Sequence, residues 1–153
     1  MPLSEFRLFP TAPRRQQAII ETHIRKHTAA GVNVLLTPVL INAGASEAFA
    51  HSSTTIAMTI TKSEATRRGY WCTSKGGFLD LDEIALLQGF PAGLVPWQHL
   101  GISPAQYGSL LGNAMTLPVV VYILPALLLA GGKIAEMQAD ELYKRARAFQ
   151  PVA

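Results

Sequence analysis

Two periodicities alternate along the chain. From Arg14 to Ala30 apolar residues recur at helical spacing, with Ile19, Ile20 and Ile24 on one face, and Gly31 supplies a C′ stop. Residues 32–36 and 39–41 are short apolar runs that predict strands; Thr37-Pro38 splits them, and the proline argues for an edge or a break. Asn42-Ala43-Gly44-Ala45-Ser46 is a turn sequence, and Ser46 is placed to cap a short turn through Phe49. Residues 56–60 alternate Ile56, Met58 and Ile60 with Ala57 and Thr59, which suits a strand. Residues 62–68 are the polar, charged stretch of the middle region. Residues 70–73 predict a further strand, followed by a turn at Lys75-Gly76-Gly77.

The second half reads as helices. Asp80 is an N-cap whose carboxylate can accept from first-turn N–H groups, and Glu83 three residues on completes a capping box. Ile84, Leu87 and Gln88 follow, and Gly89 ends that helix. Ser103-Pro104 repeats the start signal, a cap followed by proline at the first helical position. This helix is expected to reach about Leu111 and to break at Gly112-Asn113-Ala114. A second apolar helix follows with a kink expected at Pro125. The last segment, residues 134–149, is amphipathic through Ile134, Met137, Leu142 and Phe149.

Composition changes this picture in one respect. The 153 residues suit one domain, and a hydrophobic fraction of 49% supports a core, but only 15% are charged, against roughly 25% in an ordinary globular chain. The deficit is concentrated: the 49 residues from Ile84 to Gly132 contain no Asp, Glu, Lys or Arg. So long an uncharged run is expected to be buried or to face a partner. Its most apolar part, residues 117–130, is about 14 residues long and holds Pro118 and Pro125; a membrane span needs about 20. A buried core helix is therefore expected there, and no membrane partner.

The net charge of +3 permits contact with nucleic acid without requiring it. Arg14, Arg15, Arg25 and Lys26 make the first helix basic. A solvated face explains them first, a phosphate-contacting face second. A lone cysteine, Cys72, excludes an internal disulfide, and Met1 to Phe6 lacks a secretory pattern. An intracellular setting is expected, the nucleus in a eukaryote and otherwise the cytoplasm.

Catalytic signatures are missing. His23 and His27, at i and i+4, share a helix face but have no third ligand at metal-binding spacing. Cys72 sits between Trp71 and Thr73 in an expected strand, which favours a structural thiol over a nucleophile. Gly76-Gly77 and Gly131-Gly132 are isolated pairs, not phosphate-cradling loops.

Three segments carry a family resemblance. The stretch Leu79-Asp80-Leu81-Asp82-Glu83-Ile84-Ala85-Leu86-Leu87-Gln88-Gly89-Phe90-Pro91 resembles the ninth conserved motif of the DNA cytosine-5 methyltransferases. Gly112-Asn113-Ala114-Met115-Thr116-Leu117-Pro118-Val119-Val120, about twenty residues on, is similar to their tenth motif. Upstream, Met58-Thr59-Ile60-Thr61-Lys62-Ser63 is similar to the Pro-Thr-Leu-Thr segment that closes the target-recognition region. Order and spacing agree across residues 39–129. Three positions depart: Gly77 and Glu64 stand where the family has arginine, and Met58 where it has proline. The family's Phe-x-Gly-x-Gly cofactor loop, Pro-Cys nucleophile and Glu-Asn-Val motif occur nowhere in these 153 residues.

The resemblance implies an α+β fold, short strands followed by C-terminal helices, as an incomplete methyltransferase fold. It divides the chain into a basic lead-in helix (1–31), a partial target-recognition region (32–78), the region of the two motifs (79–132) and a C-terminal helix (133–153). It implies that Glu83, Gln88, Gly89, Phe90 and Pro91 brace the recognition lobe. Gly112, where the backbone turns closely, Asn113 and Ala114 would close one wall of an S-adenosylmethionine pocket built mostly elsewhere. Thr59, Thr61, Lys62, Arg67 and Arg68 would face the DNA backbone, where hydroxyl and cationic groups position phosphates rather than read bases. The expected partners are DNA and a catalytic methyltransferase domain or chain. The alternative is a non-catalytic DNA-binding or scaffolding protein derived from the family.

Overall fold

The computed structural model describes residues 12–91 and 93–148, and the fold is α+β. Phe149, singled out above, lies outside the described residues. Helix α1 (Arg14–Ala29) ends as the sequence requires: Gly31 takes φ 81°, a left-handed value that glycine adopts without cost. Its buried face is Ile19, Ile20, His23 and Ile24.

Four very short strands form one antiparallel sheet in the order β2-β1-β3-β4: β1 (Leu40–Asn42), β2 (Ser52–Ser53), β3 (Tyr70–Cys72) and β4 (Gly77–Phe78). β1 is central, pairing Leu40 with both Ser53 and Cys72. One core cluster joins α1 to the sheet through Ile20, Ile24, Val39, Ile41 and Trp71.

The strand expected at residues 32–36 is not formed. Asn33 organises a turn instead: its carbonyl accepts from Leu36 and Thr37, and its side chain from Leu35 N. Residues 56–60 form no strand: Ile56 lies in a bend, and 57–60 have no regular secondary structure and pair with no strand. The polar stretch after them is a helix, α2 (Lys62–Arg67), capped by Thr61, with Arg68 in the left-handed region at φ 52°.

The capping box read at Asp80 and the cap read at Ser103 are both present, and the structure adds a capping box at Ser103 through Gln106. Asp80 and Glu83 cap α3 (Leu81–Leu87), and Ser103 and Gln106 cap α4 (Pro104–Asn113). Helix α4 ends at Asn113, with Ala114 as its cap, inside the triplet where the break is expected, so Gly112 lies within the helix. A Cβ built there would stand 2.1 Å from Lys62 Cα, and one at Gly108 would stand 2.9 Å from Thr66 Cα. Two glycines one turn apart thus let the backbones of α2 and α4 touch. A second core cluster fills in around this crossing, from Met58, Ala65, Tyr70, Ile84, Tyr107 and Leu111.

Helix α5 (Leu117–Ala130) passes through Pro125 and packs against α6 (Glu136–Ala148). It is not the buried core helix that its composition predicts. Pro125 is its one buried residue, while Val119, Ile123, Leu124 and Leu127 are 44%, 46%, 47% and 63% exposed. Its main packing partner among the described elements is α6. No single described helix is long and apolar enough to cross a membrane; α4 and α5 together have the composition but are bent by 46° at their junction.

Candidate nucleic-acid and partner interface

The corner after α3 is where the two motif-like segments meet. Gln88 is 97% buried, being 3% exposed, and its side-chain Nε2 donates to the carbonyl of Leu111 in α4. Its own carbonyl accepts from Leu117 N at 2.9 Å, at the start of α5. Gly89 follows with φ 80°, and a Cβ there would meet the Pro118 ring at 2.5 Å. Thus Gln88-Gly89 is bonded to the end of α4, bonded to the start of α5, and pressed against its proline. Glu83 serves the capping box and forms an ion pair with Lys75, which also lies 3.6 Å from Asp80. Those carboxylates hold the Lys75 ammonium above its ordinary pKa, chiefly through the hydrogen bond to Glu83. Phe90 packs against the second core cluster and Pro91 is exposed.

Asn113 is exposed, Ala114 is half-buried and caps the C-terminus of α4, and Gly112 lies against the α2 backbone. Of the three positions expected at a cofactor wall, Gly112 therefore already has a structural occupant on its open side.

The five residues expected to face DNA are all exposed and fall on one stretch, from the segment before α2 across that helix: Thr59, Thr61, Lys62, Arg67 and Arg68. Their hydroxyls and cations are not equally available. Thr61 Oγ1 is committed to capping α2, accepting from Glu64 N, and also contacts Ser63 Oγ at 3.3 Å. Lys62, Arg67 and Arg68 form no ion pair among the described residues. Arg15, by contrast, is spent on structure, donating to the carbonyls of Gly44 and Ala45 at 3.1 Å each.

Glu64 turns inward. Its carboxylate lodges between Gly44 and Gly69, at a place where a side chain on either glycine would collide with it. Burial there raises its pKa, opposed by the charges of Arg67 and Arg15, and its Oε2 accepts no hydrogen bond from a described residue. The negative charge is therefore withdrawn from the face that carries the cations of α2.

Sequence reasoning missed two clusters. Tyr70, buried in β3, places its hydroxyl between Thr59 O and Thr61 N, 3.1 Å from each, and so ties the segment before α2 to the sheet. His23 Nδ1 and His27 Nε2 both lie 2.8 Å from Ser52 Oγ. The i, i+4 spacing put both rings on one face; that a serine in β2 would lie between them was not legible, because it comes from 25 residues away. Ser52 can donate to one ring only, so the other must bring the proton. Burial first, then the charges of Lys26, His27 and His51, lowers the His23 pKa, while a hydrogen bond to Ala50 opposes the shift. Among the described residues no cluster of three or more His, Cys, Asp or Glu side chains is arranged to hold a metal ion.

No protein-family model matches the chain, and neither a curated protein nor a solved structure is significantly similar to it.

Proposed function

We propose that this chain acts as the C-terminal, DNA-recognition end of a DNA cytosine-5 methyltransferase, supplying duplex contacts and a docking helix but no bond-making group. One observation carries the reading. The Gln-Gly-Phe-Pro corner and the Gly-Asn-Ala segment, recognised separately in the sequence, are joined through Gln88 to Leu111 and Leu117, and through Gly89 to Pro118. Segments matched by chance would have no reason to share a hydrogen-bonded corner.

Two further features fit. Lys62, Arg67 and Arg68 present cations without carboxylate partners, the arrangement that neutralises phosphates. Helix α5 keeps its apolar side chains in solvent, as expected of a surface that a catalytic lobe covers. In this reading that lobe brings the cofactor loop and the cysteine nucleophile, S-adenosylmethionine binds mainly there, and Asn113 and Ala114 edge its pocket. Extracting the target base requires a flipped nucleotide, which a recognition lobe helps to hold.

The test is reconstitution. The chain alone, incubated with S-adenosylmethionine and duplex DNA, is expected to transfer no methyl group. Added to a separately expressed catalytic half of a cytosine-5 methyltransferase, it is expected to restore transfer and to lose that effect when Arg67 and Arg68 become alanine. Product from the chain alone would overturn the reading.

A further inference from the structure

We infer that residues 57–60 form an open strand edge that takes an extended polypeptide segment by main-chain pairing, beside a cleft that Gln88 helps to line. This goes beyond the DNA reading and does not depend on it.

The segment has the side-chain pattern of a strand. Met58 is buried in the core and Ile60 packs against it, while Ala57 and Thr59 between them are exposed. Yet it lacks what defines a strand, a partner. The N–H groups of Ala57, Met58, Thr59 and Ile60 donate to no described residue, and of their carbonyls only that of Thr59 accepts, from the Tyr70 hydroxyl. Upstream, the N–H groups of Thr55 and Ile56 are already taken by Ser53 Oγ. The unpaired run therefore begins where the local turn stops satisfying the backbone. Unpaired main chain whose side chains alternate between core and solvent is the template onto which a second strand adds.

An acceptor is left over beside the same segment. A cleft of about 460 Å³ is lined by residues 55–60 and, opposite in sequence, by Leu87, Gln88, Ala114 and Thr116. Because Gln88 Nε2 is committed to Leu111, the atom left without a partner is Oε1, an acceptor. A group entering there must bring a donor, an N–H or an O–H. With the free donors and acceptors of the unpaired run, this asks for a ligand that alternates N–H and C=O at strand spacing, which is a peptide backbone. Threonine hydroxyls at 55, 59 and 116 accommodate small or polar side chains. The anchoring makes the edge rigid before binding: Tyr70 holds both Thr59 and Thr61, and Thr61 starts α2.

The test uses the full chain, nitrogen-15 labelled, titrated with the capped synthetic peptide Lys-Thr-Val-Thr-Val-Thr-Lys. A second titration uses the same peptide N-methylated at alternate residues, which keeps its side chains and removes its donors. Chemical-shift changes and slowed amide exchange are expected at residues 57–60 and at the Gln88 side-chain amide, with binding weakened roughly tenfold or more by N-methylation. Ala57→Pro, at an exposed position, is expected to weaken binding while leaving the circular dichroism unchanged. Unperturbed amides at residues 57–60 in the first titration would overturn the inference. So would equal binding of the N-methylated peptide, or an oligonucleotide shifting the same amides when the peptide does not.

Discussion

Helices α4 and α5 are neighbours in sequence, and both are uncharged, but they are held in opposite ways. Helix α4 gives up side chains at Gly108 and Gly112 so that α2 can touch its backbone, and it buries Tyr107 and Leu111 in the core. Helix α5 has the more apolar sequence and buries only Pro125. Hydrophobicity therefore does not decide which of the two is inside. Shape does: α4 has a groove that its partner fills, whereas α5 is bulky along most of its length and packs mainly on α6. A helix apolar on every side is stable in water only when something surrounds it.

The sharpest way to break this comparison is to fill the groove. A methyl group at Gly112 would lie 2.1 Å from the Lys62 Cα and 2.2 Å from its nitrogen, both backbone atoms that cannot swing aside. Gly112→Ala is expected to separate α2 from α4 and cost about 3 kcal/mol or more, above the usual overpacking penalty because the obstacle is main chain. The midpoint of urea unfolding measures it. An unchanged midpoint would mean that the crossing is not as close as described.

Much of this was legible in advance, and the failures have physical reasons. Asp80-x-x-Glu83 and Ser103-Pro104 gave their helix starts correctly, because a capping box and a cap followed by proline are set by residues at most three apart. The turn at Gly76 and the stop at Gly31 followed from glycine's access to positive φ. Helix α2 was missed because its apolar contact is one residue, Ala65, and its stability comes from the glycine crossing with α4, a long-range fact. Gly112 was noticed for the wrong reason: it was taken as the place where the backbone turns, whereas it is where another backbone arrives. The DNA-facing set was placed on one exposed stretch, but the inward turn of Glu64 depended on Gly44 and Gly69 vacating space in two other loops, which no window of local sequence contains.

A second prediction concerns the other core cluster, where α1 meets β2 through Ser52. Burial lowers the pKa of His23 from the ordinary 6.5. Above that value the ring is neutral in both the folded and unfolded chain, and pH has no leverage through it. As pH falls below 6.5, the unfolded chain takes up the proton first, so stability falls until the folded ring also titrates. Protonation would add a positive charge beside Lys26, His27 and His51. The melting temperature is expected to drop between about pH 7 and pH 5, and His23→Asn is expected to flatten that slope. Equal slopes in the two proteins would remove His23 as the cause. This effect should be smaller than that of Gly112→Ala, because a part-buried pair of hydrogen bonds is at stake rather than a helix crossing.

The smallest effect on stability is expected where the sequence is most apolar. Leu124 and Leu127 are 47% and 63% exposed on α5. Changing both to glutamine replaces side chains already in contact with water by others of similar length and helix propensity, so the unfolding midpoint should move by no more than about 0.5 kcal/mol per site. The same pair in α4 would not be so lenient at Leu111, which is 3% exposed. What should change is association. Light scattering of the parent chain at rising concentration is expected to show self-association driven by this surface, and the double variant is expected to stay monomeric. Reconstitution with a catalytic half should fail with the same variant although its fold is intact, since the surface that aggregates in isolation is the one the partner would cover. If the double variant instead unfolds, α5 is packed more completely than its exposure indicates. The contrast between a helix held by its grooves and a helix waiting for a cover would then be lost.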